Sequence, residues 1–97
     1  MTTYQVVFSS RSRRDLEAIR AFVARETGDA AIAGRLLMHL LDACDSLAKL
    51  PQRYGEYSYA RRWRMMPVGS YLVLFAIRES KILIGHVRHG ARRPWTS

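Results

Sequence analysis

Two runs late in the sequence limit the fold more than anything else in it. Residues 71–77 (YLVLFAI) and 82–89 (ILIGHVRH) are dense in β-branched, aromatic and aliphatic residues, and Arg78–Lys81 separates them. Such runs read as strands and the polar break between them as a turn. Alternation along a strand sends Tyr71, Val73, Phe75 and Ile77 to one side and Leu72, Leu74 and Ala76 to the other. A sheet built on this hairpin is apolar on both faces, so each face must be covered. One layer of helices covers one face. The second face is expected to be a partner site, because apolar patches left to water usually mark one. The alternative is that the tail or the loop before the strands folds over it.

The rest of the chain supplies the other elements. Residues 4–8 (YQVVF) form a short strand. Ser9, Ser10 and Ser12 follow, any of them able to cap a helix, and Ser12 with Asp15 resembles a capping box. Leu16, Ile19, Phe22 and Val23 recur at helical spacing, and the helix runs to about Glu26 and stops at Gly28. Asp29 caps a second helix, whose apolar face is Ile32, Leu36, Leu37, Leu40, Leu41, Cys44, Leu47 and Ala48, ended by Pro51. A gap of so few residues predicts an antiparallel helical hairpin. Residues 52–60, with Gly55 and three tyrosines, read as a loop, and Trp63–Pro67 as a further strand. The predicted order is β-α-α-β-β-β. This is an α+β fold in one domain over residues 1–97, with an antiparallel C-terminal sheet, the N-terminal strand joining it, and the helical hairpin packed on one face.

The charge is one-sided. The formal net charge is +8, and residues 59–97 carry eight Lys and Arg against Glu79 alone. A field of this kind attracts nucleic acid, an acidic protein or an anionic surface. Arg61, Arg62, Arg64, Arg88, Arg92 and Arg93 lie near strand ends with few acids nearby, which suits bidentate contacts to carboxylate or phosphate. By contrast Arg11, Arg13, Arg14, Arg20 and Arg25 lie among acids on the first helix and read as its solvated face. Trp95, after Pro94, reads as a contact residue, whereas Trp63 reads equally well as core. His86 and His89 form an H-x-x-H pair, but strand positions three apart face opposite sides, so no metal site is expected. No cofactor is expected either. The single cysteine, Cys44, lies in an apolar stripe and excludes an internal disulfide. No stretch reads as a signal peptide or membrane span, and a cytoplasmic location is expected.

Several segments together resemble the ParE branch of the RelE/ParE toxin superfamily, from bacterial type II toxin–antitoxin pairs. They are Val7-Phe8-Ser9 leading into Asp15-Leu16, residues 41–47 (LDACDSL) followed by Leu50-Pro51, Arg64 with residues 67–73 (PVGSYLV), and residues 87–92 (VRHGAR). The resemblance implies a growth-inhibiting toxin neutralised by a cognate antitoxin that lies along the helical hairpin and the sheet, with Leu72 and Leu74 as antitoxin-facing apolar residues. It implies DNA gyrase as the target, since ParE-type toxins inhibit gyrase. The alternative is cleavage of mRNA on the ribosome, as by RelE-type toxins. Those nucleases carry cations on the first C-terminal strand and just after an aromatic on the next. Here the matching positions fall at Trp63, Met65 and Leu72; Arg92 matches a late basic position, His89 is available, and there is no late tyrosine. The resemblance thus points to a toxin that binds and has no catalytic residues, with His89 and Arg92 as catalysts if it is a nuclease. A second alternative is a basic nucleic-acid-binding module, for which no helix-turn-helix or zinc-ligand signature is present.

Overall fold

The computed structural model describes residues 3–90. In chain order it contains β1 (Gln5–Phe8), α1 (Ser10–Thr27), α2 (Ala30–Asp45), two single 3₁₀ turns at Ser46–Ala48 and Pro51–Arg53, then β2 (Arg64–Val68), β3 (Tyr71–Arg78) and β4 (Lys81–His89). The α+β order is the one predicted. The sheet runs β1-β4-β3-β2, with β2, β3 and β4 antiparallel and β1 parallel to β4, so the whole is mixed.

Local chemistry sets the helix ends. Ser9 is the N-cap of α1, and its hydroxyl accepts from the Ser12 N–H at 3.0 Å. Ser12, fully buried, donates its own hydroxyl back to the Ser9 carbonyl at 2.9 Å. The reciprocal pair is therefore Ser9 with Ser12 rather than Ser12 with Asp15, whose carboxylate is used elsewhere. Gly28 ends α1 at φ 67°, donating its N–H to the Ala24 carbonyl, a left-handed stop that only glycine adopts without strain. Asp29 then caps α2, accepting from Ala31 and Ile32. With two residues between them, the helices pack side by side and lay a single layer on the sheet.

That layer buries the first sheet face. Leu16, Leu40, Cys44 and Leu47 pack against Met66, Val68, Val73, Phe75, Ile82, Ile84 and Val87. Fully burying each of the larger side chains stabilises the fold by about 1.5–3 kcal/mol. Alternation on β3 is as predicted, with one irregularity opposite it. Leu74 pairs with His86 but Phe75 pairs with Ile84, so Gly85 is the extra residue of a β-bulge. The bulge lets Ile84 and Val87, three residues apart, both enter the core, and turns His86 and Arg88 to the other face.

The second face is covered by the chain itself. The segment 55–63 folds back over it, and Tyr57, Ala60 and Trp63 bury Leu74 and Ala76. Backbone bonds brace the segment: Tyr57 N–H to the Trp63 carbonyl (2.8 Å), Ala60 N–H to Tyr57 (3.1 Å), Trp63 N–H to Ala60 (3.0 Å) and Met65 N–H to Gly55 (3.0 Å). Trp63 therefore belongs to this braced loop, and β2 starts one residue later than predicted. Its indole lies on the bulge, where a Cβ on Gly85 would come within 2.2 Å of a ring carbon. The expectation that a partner covers this whole face is thus corrected. Leu74, placed facing an antitoxin, is fully buried beneath the loop, and Leu72 is half-buried at the margin of the same cluster.

Candidate target-binding surface

The loop, the bulge and the start of α1 meet at one corner of the second face. Trp63 forms an edge-to-face contact with His86, ring centroids 5.4 Å apart at 87°. The Arg62 guanidinium sits 5.5 Å from the centre of the Trp63 ring, a cation–π arrangement that fixes its plane. Arg88, two residues past His86 on the same face, pairs in register with Leu72. The N-terminus of α1 is tied to the bulge by the Ser9 hydroxyl, which donates to the Gly85 carbonyl at 3.0 Å. This brings Arg11, in the first turn of α1, to the same corner. Arg61 and Arg62 are exposed and Arg88 is half-buried.

The electrostatics follow from this grouping. Burial holds the His86 imidazole below the ordinary histidine range; Arg11, Arg62 and Arg88 push the same way, while Asp15 opposes them. Asp15 accepts from Arg11 Nε at 2.9 Å and, with its other oxygen, from the Val87 backbone N–H at 3.0 Å. The edge of β4 beyond β1 is thereby satisfied by side chains of α1. Cys44 takes no part: burial pushes its thiol up to about 12, so it stays protonated in the core.

The six arginines singled out by sequence do not form one surface. Arg62 and Arg88 flank the Trp63–His86 pair, and Arg61, the residue before Arg62, is exposed. Arg64 is on the opposite side of the sheet, half-buried, with Nη1 donating to the Tyr54 carbonyl at 2.6 Å. Its role in the structure is to hold the 54–63 loop to β2. Arg92, Arg93 and Trp95 lie outside the described residues. His89 faces the helix side, edge-on to Tyr71 at 5.3 Å. There it lines a cavity of about 370 Å³ with Asp15, Ile19, Phe22, Tyr71 and Arg88, at the seam of α1 and β4. His86 and His89 point to opposite faces. Sequence reasoning missed His86 and Arg11 as members of the corner. The available signal was Gly85, since a glycine inside a strand pattern often marks a bulge or a close approach.

Comparison with known proteins agrees with this fold. The family model described as the ParE toxin of the type II toxin–antitoxin system parDE matches residues 6–94. Among solved structures, a chromosomal ParDE toxin–antitoxin system from P. aeruginosa superposes with a TM-score of 0.81 at 14% identity, covering 90% of this chain and 96% of that one. The RelBE2 toxin–antitoxin complex from Mycobacterium tuberculosis superposes with a TM-score of 0.69 at 22% identity, covering 91% and 99%. No curated protein matches the sequence. The chain belongs to the ParE toxin family of type II toxin–antitoxin systems. Among the described residues, no helix is long and apolar enough to cross a membrane.

Proposed function

We propose that this chain arrests growth by binding DNA gyrase in its complex with DNA, and that a cognate antitoxin holds it inactive by occupying its surface. The observation that carries this reading is the make-up of the second sheet face. Met65 and Leu72, at positions where the mRNA-cleaving relatives carry cations, are apolar and packed against the Trp63–Leu74 cluster. The cations stand at the rim, on Arg61, Arg62 and Arg88. A rim of guanidiniums around a closed apolar plate supports docking, whereas in-line attack by a ribose hydroxyl requires a base, an acid and cations converging on one phosphate. Family membership supports the toxin role, and the rim supplies groups that an acidic antitoxin segment would pair.

The test places antitoxin-free protein in two assays, gyrase supercoiling and cleavage of mRNA on programmed ribosomes. Loss of supercoiling, or trapped cleaved DNA, with intact mRNA is the expected result. Cut mRNA with normal supercoiling overturns it and directs attention to His89 and Arg92.

A further inference from the structure

We propose that Leu50 is an anchor side chain for an acidic protein segment, held out at the end of β1 opposite the arginine corner. This rests on the antitoxin reading above and names a point that this partner grips.

The backbone at Leu50 is strained, and the strain gains nothing for packing. Leu50 has φ 50° and ψ 51°, in the left-handed region. There the Cβ of an L-residue crowds the carbonyl that follows. The other described non-glycine residue at positive φ is Glu79, in the two-residue loop between β3 and β4, where positive φ serves a hairpin turn. Leu50 serves no hairpin. Its side chain is 60% exposed and belongs to neither apolar cluster.

The surroundings fix this conformation. Arg53 donates its backbone N–H to the Leu50 carbonyl at 3.2 Å, and its Nη1 to the carbonyls of Lys49 at 2.6 Å and Leu50 at 3.3 Å. The Arg53 guanidinium also lies 4.8 Å from the centre of the Tyr54 ring. Lys49 bridges Thr3, and Tyr4 donates its N–H to the Ala48 carbonyl at 2.8 Å, which ties the segment to the start of β1. Gln52 adds a bond from Nε2 to the Tyr4 hydroxyl at 2.7 Å. Strain held in place by so many bonds, on a residue that shows its apolar side chain to water, marks a point of contact.

The charges around it select the partner. Lys49, next to Leu50, is exposed. On the other side of β1, Lys81 is in register with Gln5 and with Arg78. Two strand spacings of about 4.8 Å separate it from Lys49. Lys49, Arg53, Arg78 and Lys81 outnumber Asp45 and Glu79 here. The ion pairs among the described residues are Arg11–Asp15 and Arg20–Glu17, so these cations keep their charge. An apolar knob among cations fits a protein surface that offers an apolar socket with carboxylates at its rim. The phosphates of a nucleic acid would engage the cations and leave Leu50 without a role. The arginine corner lies past the end of β1, at Ser9 and Gly85, and Leu50 lies beside its start, at Thr3. About 20 Å of extended chain runs between them. A partner that grips both is anchored at two distant points and covers the face between.

The experiment measures binding of the full chain to its cognate antitoxin by isothermal titration calorimetry, with a thermal unfolding curve for each variant. Leu50→Asn suits a left-handed residue and removes the apolar side chain. It is expected to weaken antitoxin binding by about tenfold or more, while the unfolding midpoint holds or rises. Leu50→Met keeps an apolar side chain and keeps most of the binding. Lys49→Gln weakens binding and lowers its salt dependence. Unchanged binding in Leu50→Asn overturns the inference. A fall in its unfolding midpoint does so too, by making Leu50 a packing residue, as does an equal loss of binding in Leu50→Met. Binding indifferent to Lys49→Gln and to salt contradicts an acidic partner and overturns it as well. So does duplex DNA binding that depends on Leu50 more than antitoxin binding does. If the unaltered chain does not bind the antitoxin, the antitoxin reading falls and this inference with it. If it binds and Leu50→Asn binds equally well, this inference falls alone.

Discussion

The carboxylate of Asp15, in α1, accepts the backbone N–H of Val87, in β4, at 3.0 Å, across 72 positions of sequence. β1 pairs with β4 only as far as Ile84, and past that point the outer edge of β4 has no strand beside it. Ser9 and Asp15 take over, one through its amide and hydroxyl and the other through its carboxylate. The start of α1 thus finishes the sheet.

Asp15→Ala leaves the Val87 N–H without its acceptor, next to a side chain that is 2% exposed. An unpaired buried donor costs about 1–3 kcal/mol. The expected result is a fall of that size in unfolding free energy from urea denaturation, with faster hydrogen exchange at the Val87 amide. Asp15→Asn keeps an acceptor oxygen and loses less. Equal stability of all three proteins would mean that the contact contributes nothing.

Trp63 and Gly85 form a lock of the opposite kind, made by the absence of a side chain. A methyl at residue 85 would overlap three indole carbons, at 2.2, 2.4 and 2.8 Å, so Gly85→Ala must displace the ring or open the bulge. Overpacking of this sort costs about 1–3 kcal/mol and occasionally more. Trp63→Ala loses its own packing, but adding Gly85→Ala to it costs little further, because the clash has gone. The double-mutant cycle should show this strong coupling, and additive losses would refute the lock. A red shift of indole fluorescence in Gly85→Ala, in a Trp95→Phe background, reports the displaced ring.

How far the sequence foretold this arrangement depended on how local the causes were. The helix ends were legible because Gly28 and Asp29 act on neighbours within a turn, and the strands because Tyr71–Ile77 alternates without a break. The capping pair was misread because Ser9, Ser10 and Ser12 offer the same chemistry, and only the tie to Gly85 selects Ser9. The loop's cover on the second face was open only as the alternative to a partner. It depends on Trp63 meeting a glycine 22 positions away, and on a bulge that rotates His86 and Arg88 onto that face. Arg64 was grouped with Arg62 because they are near in sequence, yet β2 begins between them and sends them to opposite sides of the sheet.

His86 makes the fold sensitive to acid in a defined direction. Its folded-state pKa is lowered, first by burial, then by Arg11, Arg62 and Arg88, against an opposing pull from Asp15. The unfolded chain therefore binds this proton more readily. The contribution is nil at high pH, and stability falls as pH drops through the ordinary histidine range near 6.5 and on through the lower folded value. His86→Gln should flatten the stability–pH profile in that window. An unchanged profile would show that His86 does not carry the dependence.

Arg62 and Arg64 should separate function from folding. Arg62 is exposed and rests on the Trp63 ring, an arrangement worth about 0.5–1 kcal/mol at such a site. Arg64 is half-buried and donates to the Tyr54 carbonyl at 2.6 Å, and hydrogen bonds from charged groups contribute about 1.5–3 kcal/mol. Arg64→Ala therefore lowers the unfolding midpoint and frees the 54–63 loop, seen as quicker proteolysis there. Arg62→Ala changes the unfolding free energy by about 1 kcal/mol or less and loses binding to target. Measured side by side, thermal unfolding and target binding should move in opposite variants. If Arg62→Ala destabilises the fold as much as Arg64→Ala does, Arg62 is a structural brace and the docking rim reduces to Arg61 and Arg88.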